Sequence, residues 1–197
     1  MSSKQDILAR IRRHLPPAEP HPGTSGNWIR YANPEAQFIE VLTSVGGQAA
    51  VVPDPTKLRE QVLGLSVFEA ARRVVCRVPG LELPGSGLGD DADPHSLADV
   101  DVAVVAGEFA VAENGAVWAP RSHLGHQGLV FLAQFVVAVV PRRAIVHNMH
   151  EAYERLRFEG SGYGVFISGP SKTADIEQSL VIGAHGPRSL TVLLVDA

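Results

Sequence analysis

Two runs of this chain are too apolar to face water on either side. Phe135-Val-Val-Ala-Val-Val140 and Leu190-Thr-Val-Leu-Leu-Val195 read as strands buried in the middle of a sheet. Ala49–Val52, Arg73–Val78 and Val100–Val105 are shorter runs of the same kind. Helical patterns stand between them. Asn33-Pro34 is a cap followed by proline at the first helical position, and Phe38, Ile39, Leu42 and Val45 then repeat at helical spacing until Gly46-Gly47. Asp54-Pro55 opens a second helix the same way, with Leu58, Val62 and Leu65 on its inner face. Alternating strands and helices predict one open α/β domain, its mainly parallel sheet covered by helices on both faces.

The first 26 residues stand apart. Ser3–His14 is an amphipathic helix with Ile7, Leu8, Ile11 and Leu15 as its stripe. The Pro-rich stretch Pro16–Gly26 cannot build a core and reads as an extended linker. We divide the chain into an arm with its linker, 1–26, and an α/β domain, 27–197. The arm is expected to dock on that domain or on a partner. Pro79–Pro94 reads as a long exposed loop, and Ala144–Arg157 as a helix.

Composition excludes several functions. A net charge of -4 and a pI near 6.0 leave no basic footprint for nucleic acid. The run Gly128–Val140 is too short and too interrupted to span a membrane. One cysteine, Cys76, forms no internal disulfide, and these residues alone hold no four-cysteine iron–sulfur cluster. A cytoplasmic location is the natural expectation. His123 with His126, and His147 with His150, are each three apart but lack a zinc pattern; they read as surface histidines, and no metal site is expected.

The chemistry-bearing stretch is Tyr163–Pro187. A short strand, Gly164–Ile167, ends in Ser168-Gly169-Pro170, and Ser171 and Thr173 then look like caps of a helix running to Gly183. Such a loop has two readings. It can be an anion site built from Ser168, Gly169, Ser171, Lys172 and Thr173, with Asp175 also among the ligand-binding candidates, or plain capping with Asp175 in the first turn. His185, at the expected helix end, is either a cleft residue or a C-terminal cap. Ligands of open α/β sheets bind beyond the carboxyl ends of strands, and the loop and His185 are placed there, around Glu113-Asn114-Gly115. Asn114-Gly115 is the strongest hairpin signal in the chain, and Glu113 beside it can project into a cleft or face solvent. Asp175 and Glu177, two apart, do not form a facing pair.

Gly169-Pro-Ser-Lys-Thr-Ala-Asp-Ile-Glu177 followed by Gly183-Ala-His-Gly-Pro187 resembles the signature of the lactate-utilization (LUD) domain family, LutC type. The resemblance implies a NagB/RpiA/CoA-transferase-like fold. It also implies a non-redox part of a system that oxidises L-lactate to pyruvate, acting as a ligand-binding or assembly subunit. Iron–sulfur clusters would sit on partner proteins, and the ligand would be a small anion. Ala112-Glu113-Asn114-Gly115 is similar to the Glu-Asn-Gly motif of class I CoA-transferases, where the glutamate is the nucleophile. LUD relatives more often carry Thr at the position of Asn114. A free-standing acyl or CoA-transfer enzyme using Glu113, and a small-molecule sensor, are the other readings.

Overall fold

The structure, a computed structural model, describes residues 3–17, 19–20, 23, 26–85, 93–156, 162–174 and 180–196. Helix α1 spans Ser3–Arg13. Helix α2, Pro34–Ser44, begins as expected: the Asn33 side chain accepts from the Ala36 amide, and Pro34 takes the first turn. Strand β1 is Gln48–Val52. Asp54 caps a 3-10 turn at Pro55–Lys57, and helix α3 follows at Leu58–Leu63. Strand β2 is Val74–Cys76, and β3 is Val102–Ala106. A tight pair follows, β4 (Phe109–Val111) and β5 (Ala116–Pro120). Two short helices, α4 (Arg121–Leu124) and α5 (Leu129–Leu132), lead to β6, Phe135–Pro141. Next come β7 (Ile145–Val146), α6 (Met149–Arg155) and β8 (Gly164–Ile167). Last are β9 (Lys172–Ala174), β10 (Leu180–Ile182) and β11 (Ser189–Val195).

The central sheet runs β1-β11-β6-β3-β2, and every pairing in it is parallel. The α/β expectation holds, and the two most apolar runs, β6 and β11, lie at the centre as neighbours. Alternation sorts their side chains. Val136, Ala138, Val140, Leu190, Val192 and Leu194 enter one core, while Val137, Val139, Leu193 and Val195 enter the other. The second face is covered by α3 through Val62. The first is covered by α2, whose Phe38 and Leu42 are fully buried, and by a second sheet. Truncating either side chain to alanine would cost about 2–5 kcal/mol.

The hairpin expected at Asn114-Gly115 is present as β4–β5 and the strand expected at Gly164–Ile167 as β8; what the sequence did not announce is that they join β7 in a second sheet, β7-β4-β5-β8. Its inner face sets the small Ala110, Ala112 and Ala119 beside Val117, with Ile145, Val165 and Ile167 packed around them. Gly107 sits where the sheets meet: a Cβ there would lie 2.4 Å from Val117 Cγ1 and 2.8 Å from Val140 Cγ2. Its outer face carries Phe109, Val111 and Trp118 against Ala152 of α6.

Two expectations are corrected. Ala144–Arg157 is not one helix. The β-branched pair Ile145-Val146 joins β4 in register with Ala110 and Val111, and Asn148 then caps a shorter helix by accepting from the Glu151 amide. The helix expected from Ser171 or Thr173 to Gly183 is replaced, among the described residues, by an antiparallel hairpin that pairs Lys172 with Ile182. Val181 and Ile182 favour strand over helix. Asp175 and Glu177 lie outside the described residues. Helix α1 buries none of its residues. The Pro79–Pro94 stretch is described in part, and Leu83 within it is buried.

Candidate functional site

Two strand ends and one hairpin build the site. The β4–β5 turn holds Glu113, Asn114 and Gly115. Asn114 Oδ1 accepts from the Ala116 amide at 3.1 Å, which closes the turn. Gly115 has φ +66°, and a Cβ there would lie 2.8 Å from the Leu42 amide nitrogen, so the turn presses on the backbone of α2. Ser168 leaves β8 beside it and donates its hydroxyl to the Asn114 carbonyl at 2.8 Å. Gly169 has φ +70° and passes so near Val45 that a Cβ would come within 2.6 Å of its carbonyl oxygen. The Asn114 and Ser168 turns are therefore locked to each other and to the end of α2.

Beyond Pro170 the hairpin returns the chain on itself. The Ser171 amide donates to the Pro187 carbonyl at 2.8 Å, and the Ser171 carbonyl accepts from the Gly183 amide at 2.8 Å. A Cβ on Gly186 would meet Ser171 Cβ at 2.9 Å. Ser168, Gly169, Ser171 and His185 consequently line one pocket of about 240 Å³, closed by Val130 and Phe131 and by Val165–Ile167, Pro170 and Pro187. The hairpin brings His185 back beside this loop.

Other expected residues lie elsewhere. Lys172 and Thr173 are exposed on β9 and do not line the pocket. Glu113 does not line it either: its Oε2 accepts from the Met149 amide at 2.8 Å, at the start of α6. No described helix starts after Ser168 or ends at His185, so neither the amide cluster nor the helix-end environment assumed for them is present among the described residues. The pocket's place is corrected too. The Arg188 amide donates to the Gln134 carbonyl just before β6, and Ser189 begins β11. The pocket thus sits at the amino-terminal edge of the central sheet, not beyond its carboxyl ends.

The walls are mostly apolar, with hydroxyls and one imidazole as polar groups. That chemistry suits a small ligand with an apolar part and a hydrogen-bonding end, or an apolar side chain of another protein. Phe131, 48% exposed, is the wall residue missed in the sequence; its signal was a large apolar side chain in a short segment flanked by Gly128 and Gln134. Among the described residues no group of three or more His, Cys, Asp or Glu is placed to hold a metal ion. His147 and His150 pack against residues 28–31. His147 Nδ1 accepts from the Tyr31 amide at 3.0 Å, and His150 stacks on Trp28. His123 Nδ1 lies 3.2 Å from the Ala106 carbonyl, and His126 Nδ1 accepts from the Gly128 amide.

Residues 91–195, which hold the β4–β5 turn, the β8 loop and the hairpin, match the LUD domain. The chain belongs to the LUD domain family. Lactate utilization protein C of Shouchella clausii is 28% identical to this LUD chain over 172 residues, covering 82% of it and 69% of the relative. Lactate utilization protein C 1 of Bacillus mycoides is 31% identical, covering 56% of the chain and 50% of the relative. The protein C of Bacillus pumilus is 38% identical over 47% of the chain and 41% of the relative. The alignments with these last two span half or less of the relatives' length. The crystal structure of a DUF162 family protein from Deinococcus radiodurans shares the fold, with TM-score 0.59 and 21% identity, covering 82% of this LUD chain and 96% of that one. No helix among the described residues is long and apolar enough to cross a membrane.

Proposed function

We propose that this LUD protein is a non-redox component of a system that oxidises L-lactate to pyruvate. In this reading iron–sulfur clusters are carried by partner proteins, and this chain contributes a ligand-binding or assembly surface. The observation that carries the reading is its family membership, with relatives named lactate utilization protein C over as much as 82% of the chain. Ligand chemistry supports the division of labour: common iron–sulfur clusters take four cysteines, and these 197 residues contain one. The pocket of Ser168, Ser171 and His185 is the surface to which we assign the ligand, a small organic anion such as lactate or pyruvate.

The rival reading, acyl or CoA transfer by Glu113, is less well supported. One oxygen of that carboxylate is already engaged by the start of α6, and the residue lies outside the pocket. The test has two parts. Deleting the gene should abolish growth on L-lactate, and a copy carrying Glu113→Gln should restore it. Calorimetric titration of L-lactate, pyruvate, phosphate and sulfate should show binding that His185→Ala weakens and Lys172→Ala leaves unchanged. Growth on lactate without the gene would refute the role. Binding unaffected by His185→Ala would refute the site.

A further inference from the structure

Helix α1 is the largest feature that the fold leaves unused. It buries no residue, and Ile7, Leu8, Ile11 and the following Leu15 are 39–62% exposed. At 100° per residue Ile7, Leu8 and Ile11 fall on one narrow face, with Arg10 on one flank and Arg12 on the other. Charge is segregated along the chain. Residues 3–15 carry four cations and one anion, net +3, whereas the rest carries thirteen cations and twenty anions, net -7.

Between the two lies Pro16–Gly26, eleven residues of which four are proline. Its far end is fixed on the domain. Trp28 stacks on His150, the Asn148 side chain donates to the Ile29 carbonyl at 2.9 Å, and Arg30 pairs with Glu151. A basic, apolar-striped helix is thereby joined in one chain to an acidic body.

We propose that α1 is a peripheral anchor that lays its stripe on an anionic lipid surface. Cations flanking both sides of a stripe match a plane of acidic headgroups around an apolar interior. A helix of this length is marginal alone, so the surface also orders it. The acidic body of the same chain is the obvious competitor, yet no residue of α1 is buried against it.

The experiment is flotation of the full chain with vesicles of phosphatidylcholine alone and of phosphatidylcholine containing one third phosphatidylglycerol. Each Lys or Arg near an anionic surface is worth roughly fivefold, so a net +3 arm should bind the anionic vesicles about a hundredfold more tightly than the neutral ones. Ile7→Asp with Ile11→Asp should remove binding to both. Arg10→Glu with Arg12→Glu should remove only the anionic preference. Circular dichroism melting should match wild type for all variants, because α1 contributes nothing to the core. Equal binding to both vesicles, or binding that survives Ile7→Asp with Ile11→Asp, overturns the proposal. So does a self-associated state in sedimentation that the same pair of substitutions dissolves, which would assign the stripe to a second copy.

Discussion

Trp28 and His150 lie face to face, their ring centroids 3.5 Å apart and their planes 3° from parallel. The contact closes residues 28–31 over the start of α6, where the four consecutive residues meet His150, Asn148, Glu151 and His147 in turn. Because Trp28 remains 42% exposed, the stack is worth only about 0.5–1.5 kcal/mol beyond the area it covers. Trp28→Ala should therefore lower global stability modestly while freeing the segment locally. Limited proteolysis should cut between Gly26 and Tyr31 several times faster in the variant. Equal cutting rates would mean that the other three contacts hold the segment without the stack.

Cys76 gives a pH prediction. Its thiol is half-buried at the end of β2, with Sγ donating to the Leu81 carbonyl at 3.3 Å, and burial raises its pKa above the ordinary 9.0. A raised acid pKa means that the fold prefers the neutral thiol. Its contribution is intact below pH 9.0 and is lost as pH rises from there toward the folded value. Alkylation by iodoacetamide at neutral pH should accordingly be slower than that of a free thiol. Chemical stability should fall above pH 9.0 by less in Cys76→Ala than in wild type. Fast labelling at neutral pH would contradict the burial.

Gly115 and Gly80 separate backbone strain from packing. Both have positive φ, +66° and +73°, but a Cβ on Gly115 would lie 2.8 Å from the Leu42 amide nitrogen, and one on Gly80 would have nothing within 4 Å. Gly80→Ala should cost about 1–2 kcal/mol, the left-handed penalty alone. Gly115→Ala should cost more than that, because α2 itself must shift. Denaturant midpoints at unchanged slope measure the difference. Equal losses would show that the β4–β5 turn has room to move away from α2.

What the sequence disclosed follows from what its patterns encode. Runs such as Phe135–Val140 can only be central strands, and caps such as Asn33 and Asp54 are local, so the parallel sheet and α2 were legible. Of the second sheet, the Asn114-Gly115 hairpin and β8 were legible, but β7 and the pairing that joins them were not, because two residues are too few for a period to register. The Ser168–His185 relationship was half legible. Helical spacing of Ile176, Leu180 and Gly183 competed with the β-branched pair Val181-Ile182, and strand pairing with Lys172-Thr173 prevailed. Pairing across six or more residues is not written in any one window. The same limit hid residues 28–31, since an isolated tryptophan after a linker does not name His150 as its partner.

Glu113 is where structure and chemistry diverge most usefully. The sequence offered a nucleophile or a solvent-facing acid; the structure ties Oε2 to the Met149 amide at 2.8 Å, one residue after the Asn148 cap. The first amides of a helix lack partners within it, and the positive end of α6 favours a carboxylate there. If capping is the role, stability should fall in steps. Glu113→Gln keeps an acceptor but loses the charge, a loss of about 0.3–1 kcal/mol. Glu113→Ala loses the acceptor as well, about 0.5–2 kcal/mol in total. Growth on L-lactate should follow stability and survive Glu113→Gln. A nucleophile behaves oppositely: Gln cannot form the acyl intermediate, so acyl transfer would vanish in the Gln variant with little change in melting. Measuring melting and CoA-thioester exchange side by side on wild type, Glu113→Gln and Glu113→Ala decides between them. Stepwise melting with no exchange activity in any of the three assigns Glu113 to the α6 cap.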